Sequence, residues 1–409
     1  MQQILRQLIL PALAATSIIM SYDWIRIVAT PLFLADGNYH KDMIPLATTV
    51  MVVSIVPLLY LYNKTLSKLG PQRTFQVLNL GWILVFVIHY FLISAGVKQA
   101  TFTLYVLRPI YVMMLIEQVW AYFNTVNNTD TAKIYAGWMM GIVSLSTIAS
   151  GKYLQFNVNE IGTLNALLIG ALFLIPASFI MFYLLRGVKI KSKTKVQSMG
   201  LKELKSRPTL YALFFIILLS QVFTGITQFQ FDSLVSLEIP KTDDMSSYYA
   251  GFYSNINTVA AVIQFILMPL VLSKIFLGYI HIVIPIINFM FAVFILFNPG
   301  LQSVMLSLLT FKAIDYSMFK GAKELIYIPL TTEIKYRTKQ FIDVFGYRLG
   351  TGGFAVFFAL IKDFRTDGNW AQLIWDFTYK YSPVLASLTW ILLGLLISRH
   401  LRKNPKAQR

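Results

Sequence analysis

RGVKIKSKTKVQSMGLKELKSR, residues Arg186 to Arg207, is the longest polar insert in a chain otherwise built of apolar runs. It carries eight basic residues against one glutamate. Outward from it in both directions, apolar stretches of about 20 residues recur, the length a helix needs to cross a bilayer. Their expected bounds are 8–34, 43–62, 75–96, 102–125, 134–155 and 162–186 before the insert, and 208–238, 248–273, 278–297, 301–328, 342–362 and 381–399 after it. The expected fold is therefore an all-α membrane protein of twelve transmembrane helices. These form two six-helix halves, 1–186 and 208–409, joined by a basic linker over 187–207.

Composition points the same way. Of 409 residues, 56% are hydrophobic and 13% charged, whereas soluble globular chains carry about 25% charged residues. The mean hydropathy is +0.63. The 31 Phe and 22 Tyr suit spans with interfacial aromatic belts. There is no cysteine, so disulfides, thiolate metal sites and cysteine nucleophiles are excluded. The first 22 residues have the look of a signal peptide, but the apolar run continues past Asp23 and Arg26 to Leu34 and reads as a first span.

The net charge of +17 is unevenly placed. Basic residues gather in alternate loops: Lys64, Lys68 and Arg73; Lys133; the linker; Lys274; Lys335, Arg337 and Lys339; and Arg399 onward. The opposite side has little beyond Lys41, Lys98, Lys241 and Arg365. Positive loops stay on the cytoplasmic side, which puts the linker and both termini in the cytoplasm of a multi-pass membrane protein. The linker lacks interleaved aromatics, so it reads as a solvated charge run and nucleic acid is not an expected partner. His40, His89, His281 and His400 have no partner at ligand spacing, so neither a metal nor a cofactor is expected. The His-Glu-x-x-His, Gly-x-Ser-x-Gly and phosphate-loop patterns are absent, and an enzyme is not expected.

Ionisable groups at bilayer depth are costly, and they face a cavity or one another. In the tenth span Lys312, Tyr316, Lys323 and Tyr327 fall within an arc of about 60° at 100° per residue, flanked by Asp315, Lys320 and Glu324. The seventh span carries Gln221, Gly225, Gln228 and Asp232 on one stripe. In the first, Asp23 and Arg26 lie three apart on one face. The fourth has Arg108 beside Pro109, then Glu117. Spans one, four, seven and ten, which correspond between the halves, thus bear the buried charge. These charges either line a cavity or pair off to hold helices together, Lys320 with Glu324 and Asp23 with Arg26 being ready pairs.

A basic linker between two sets of six spans resembles major-facilitator-type transporters, built of two repeated halves. A more specific likeness lies in KELIYIPLTTEIKYRTKQFIDVFGYRLGTGG, Lys323 to Gly353. It resembles the signature of the ATP/ADP translocases of intracellular bacteria and plastids, the nucleotide transport protein family. Lys323, Glu324, Tyr327, Ile328, Pro329, Leu330, Glu333, Lys335, Lys339, Asp343, Gly346 and Arg348 match its pattern. Weaker echoes are SYDWIRIVATPLFL from 21, WAYFNTVNNTDTAKIYAGWMMG from 120 and FYSNINTVA from 252. The resemblance implies a carrier in a bacterial inner (plasma) membrane, antiporter or symporter, monomeric, taking an anionic small molecule and contacting lipid.

The departures bear on cargo. Arg26 fits the family's first-span arginine, but Ile27, Ala29 and Thr30 replace an aspartate, a lysine and a second aspartate. Gln228 and Asp232 stand where the family carries a glutamate and a lysine, Asp315 in a lysine's place and Lys320 in an aspartate's. Arg26, Lys312, Tyr316, Lys323, Tyr327 and Gln228 are the candidate substrate contacts. Asp232, Asp315 and Glu117 are candidate proton carriers, because low dielectric disfavours a charged carboxylate. Asp23, Lys320, Glu324, Asp343 and Arg348 are assigned to gating or structural pairs. The cargo is then a nucleotide or related organic phosphate, with a non-nucleotide organic anion such as a siderophore as the alternative. A receptor or scaffold that transports nothing is the reading of another class.

Overall fold

The computed structural model describes residues 2–35, 37–186, 207–327, 342 and 346–403. Among these residues, nine helical stretches are long and apolar enough to cross a membrane. One of them, Lys41–Ser94, has 54 residues and would run about 80 Å as a straight helix, against a hydrocarbon core of about 30 Å. Gly70 resolves the excess. Its φ of 72° lies in the left-handed region open to glycine, and Pro71 after it is pre-set to start a new helix.

The chain divides into two compact units. The first takes in Met1–Lys41, Val53–Lys193 and Ile239–Asn257. The second takes in Asp42–Val52, Thr194–Glu238 and Thr258–Arg409.

The first unit is organised around the helix Leu10–Leu34, which packs against Lys98–Val126, Thr129–Ile161, Thr163–Leu172 and Leu174–Leu184. Its buried face holds Ala12, Ala14, Ala15 and Ala29 between Ile18, Trp24, Ile25 and Phe33. In lipid the driving force is close packing rather than water release, and small residues let helices approach. Gly170 shows how closely: a Cβ there would lie 3.1 Å from Ile25 and 3.2 Å from Trp24. Three amides of the helix after Gly70 tie it to the helix Leu174–Leu184. Gln72 donates to the Phe182 carbonyl, Gln76 to that of Ser178 and Asn79 to that of Leu174. The spacing of those acceptors is one helical turn.

In the second unit the helices Pro208–Glu238 and Trp370–Lys403 pack on each other, and Leu277–Phe297 packs on the latter. Phe223, Phe311, Phe319 and Trp390 form an aromatic core, with Phe223 and Phe311 stacked at 5.2 Å and Phe319 edge-on to Trp390 at 5.4 Å. Gly394 faces the backbone of Leu277–Phe297, where a Cβ would meet the His281 carbonyl oxygen at 2.3 Å. The outer surfaces carry Val56, Phe156, Phe179, Phe297 and Leu360, all well exposed. A soluble protein would bury such groups; in a bilayer they face acyl chains.

Candidate functional site

In the first unit Arg26 sits at the middle of an arginine and aromatic cluster. It donates to Asp23 Oδ1 at 2.6 Å, with the two side chains 13% and 7% exposed. Its guanidinium lies 3.8 Å from the ring centroid of Tyr253 and 5.1 Å from that of Tyr22. Arg108 adds a second guanidinium: it donates to the Arg26 carbonyl at 3.4 Å and to Thr30, and lies over Tyr105 at 3.9 Å. Two cations and one carboxylate in an aromatic setting leave a net positive charge that can hold an anion. Lys152 reaches the stretch FYSNINTVA through Asn255, donating to it and to Gln155 at 3.0 Å each. Glu117, on the helix of Arg108, is exposed.

The second unit carries its charge on Leu301–Ile314, a π-helical turn Asp315–Phe319, and Lys320–Tyr327. The π turn corrects the expected common face. On an uninterrupted helix Lys323 is about 20° from Tyr316 and about 80° from Asp315. One inserted residue turns everything after it by about 100°, which brings Lys323 to within about 20° of Asp315 and about 120° from Tyr316. Burial follows the shifted phase. Tyr316 is exposed, whereas Lys323 and Tyr327 are buried. Lys323, Lys312 and Lys320 all stand within charge-interaction range of Asp315, and the Lys323 ammonium lies 5.2 Å from the Tyr347 ring centroid. Asp315 Oδ1 is buried without a hydrogen-bond partner among the described residues. Lys312 and Glu324 are half-buried and Lys320 is exposed.

Gln228 and Asp232 form a separate group, joined by a hydrogen bond of 2.7 Å from the amide to Oδ1, with Asp232 buried. Next to them Gln230 donates to the carbonyl of Tyr379. Phe311 and Phe319 instead pack on Trp390 of the same long helix. From 379 to 390 that helix rises about 16 Å, so the Gln228–Asp232 pair stands at another level from the lysine cluster. Arg348 is half-buried near the start of Tyr347–Ile361, and Asp343 lies outside the described residues.

Sequence reading missed the aromatic partners of Arg26 and the place of Arg108 among them. Tyr22 is adjacent enough to have been found. Tyr253 is remote in the chain, and only the echo at FYSNINTVA pointed toward it.

The all-helical fold is similar to that of solved membrane transporters at low sequence identity. The POT family transporter PepTSo is similar with a TM-score of 0.67 at 13% identity, covering 97% of this chain and 98% of that one. The nucleoside transporter NupG gives 0.66 at 12%, covering 98% and 100%, and a D-xylose-proton symporter gives 0.63 at 12%, covering 95% and 96%. Residues 254–366 match the family model described as TLC ATP/ADP transporter. No curated protein matches the sequence. The matched stretch contains Lys312, Asp315, Lys323 and Tyr327; Arg26, Glu117, Gln228 and Asp232 lie before it.

Proposed function

We propose that this protein is a secondary active transporter of an anionic small molecule of the nucleotide or organic-phosphate class, working by alternating access. In this reading it has twelve spans in two six-helix halves, 1–186 and 208–409, lies in the bacterial inner membrane with both termini cytoplasmic, and catalyses no reaction. The observation that carries it is Lys323, a lysine buried beside Asp315 within the stretch matching the TLC model. A cation held at that depth is expensive unless it pairs or serves a substrate. Arg26 and Arg108 supply the corresponding charge in the first unit. The test is uptake of labelled ATP, ADP and other nucleotides by proteoliposomes, with Lys323→Gln alongside. Saturable uptake that the variant abolishes supports the reading; nucleotides that neither move nor shift the melting temperature refute it.

A second reading is favoured by the carboxylates. Asp315 and Asp232 replace family lysines, and the first sits among three lysines, which lowers the positive charge available to a triphosphate. A smaller or non-nucleotide organic anion moved with a proton, Asp315 being its carrier, fits that balance. Transport of such an anion, driven by an imposed proton gradient in the same liposomes, separates the two. A receptor or scaffold would move nothing under any gradient.

A further inference from the structure

The first unit has a groove of about 700 Å³ to which neither charged cluster contributes. Its lining sets two guanidiniums, Arg73 and Arg186, beside apolar Leu69, Val77 and Phe182. Gln72 and Gln76 complete it, and each has its amide nitrogen tied to a backbone carbonyl of the helix Leu174–Leu184, at 3.1 and 2.9 Å. The two walls are therefore fastened to each other, and the groove is formed in advance of any ligand.

Its place in the chain sets its place in the bilayer. Leu69 and Arg73 flank the turn at Gly70, and Arg186 ends the apolar run that precedes the polar linker. Both are points where an apolar stretch gives way to charge, so the groove lies at the level of the lipid headgroups. Among the described residues no acidic one lines it. Arginine forks match phosphate oxygens in pairs, while Val77 and Phe182 are exposed apolar groups that suit glyceryl and upper acyl carbons. The segment that follows, 187–206, carries six lysines against one glutamate, so like charge disfavours it as the occupant.

We propose that this groove binds the headgroup of an anionic phospholipid, with Arg73 and Arg186 holding the phosphate and Leu69, Val77 and Phe182 the adjoining apolar part. The site is distinct from the proposed substrate groups and does not depend on them.

Native mass spectrometry of the full chain, purified in neutral detergent and given phosphatidylglycerol or phosphatidylcholine, tests it. Wild type is expected to retain phosphatidylglycerol in preference to phosphatidylcholine. Arg73→Gln/Arg186→Gln should weaken retention about 25-fold, fivefold for each basic residue lost at the membrane surface. Lys64→Gln/Lys68→Gln removes the same charge close by in sequence and should weaken retention clearly less than the arginine variant does. Val77→Asp, which keeps both arginines, should weaken it as well, and it carries the test if the arginine variant does not fold. Equal losses in the lysine and arginine variants would show diffuse surface charge instead of a site. Displacement by millimolar inorganic phosphate would show a free-anion site, and unchanged retention in Val77→Asp would show that the groove is not used; each of these results overturns the proposal.

Discussion

Removing Arg26 tests whether it acts as Asp23's counter-charge, as a substrate contact, or as both. In Arg26→Ala, a carboxylate with 7% of its side chain exposed loses the guanidinium 2.6 Å away. Breaking a buried pair from one side costs about 3–5 kcal/mol, and the lost stack on Tyr253 adds about 1 kcal/mol. The expected destabilisation is about 4–6 kcal/mol. Asp23→Ala is milder, about 2 kcal/mol, because the cation left behind still lies against Tyr253 and Tyr22. The double variant removes both charges and should cost about 3 kcal/mol, less than Arg26→Ala alone, for a coupling of about 3–5 kcal/mol. Chemical unfolding of the four proteins in mixed micelles measures this cycle. Additivity within about 0.5 kcal/mol would refute the pairing argument. Uptake by the same four proteins separates the roles. If Arg26 contacts the substrate, the double variant recovers stability but not transport; recovery of both would make Arg26 a structural partner only.

Gly394→Ala should lower stability by about 1–3 kcal/mol, because the new methyl would lie 2.3 Å from a backbone oxygen that cannot swing aside. Gly353→Ala, with nothing within 4 Å, should instead gain up to about 1 kcal/mol from helix propensity, and thermal melts showing the same sign for both would contradict the packing argument. Asp315→Asn is expected to leave counterflow exchange in proteoliposomes intact while abolishing accumulation driven by a proton gradient; retained accumulation would remove Asp315 as the proton carrier. Arg365→Ala loses an ion pair to Asp42 at 2.6 Å and a stack on Trp375 at 3.9 Å. Both partners of the pair are partly exposed, so the cost is about 1–2 kcal/mol, and the difference from wild type should narrow in high salt.

Span positions were legible from the chain because the bilayer imposes both a length and an apolar composition on each helix. The stretch expected at 208–238 is the helix Pro208–Glu238, and that expected at 278–297 is Leu277–Phe297. The break near residue 70 was legible too, since glycine followed by proline ends one helix and begins the next. The candidate site was legible only as residue types on named helices. A wheel drawn at a uniform 100° per residue aligned Lys323 with Tyr316, and the π turn at Asp315–Phe319 undid that alignment. Seventh-span and tenth-span carboxylates read as one set, while their contacts along Trp370–Lys403 place them at separate levels.

Sequence alone determined that this is a helical membrane protein divided by a basic linker, because hydropathy, run length and the placement of lysine and arginine are local properties that a bilayer reads directly. It also determined which helices carry charge, since a lysine or aspartate within an apolar run is visible wherever the fold puts it. Tertiary structure alone decided which charges meet. The phase of Lys323 depends on an inserted residue, and the pairing of Arg26 with Tyr253 joins positions far apart in the chain. Such contacts are set by how helix faces pack, and no local pattern encodes the rotation and depth at which one helix comes to rest against another.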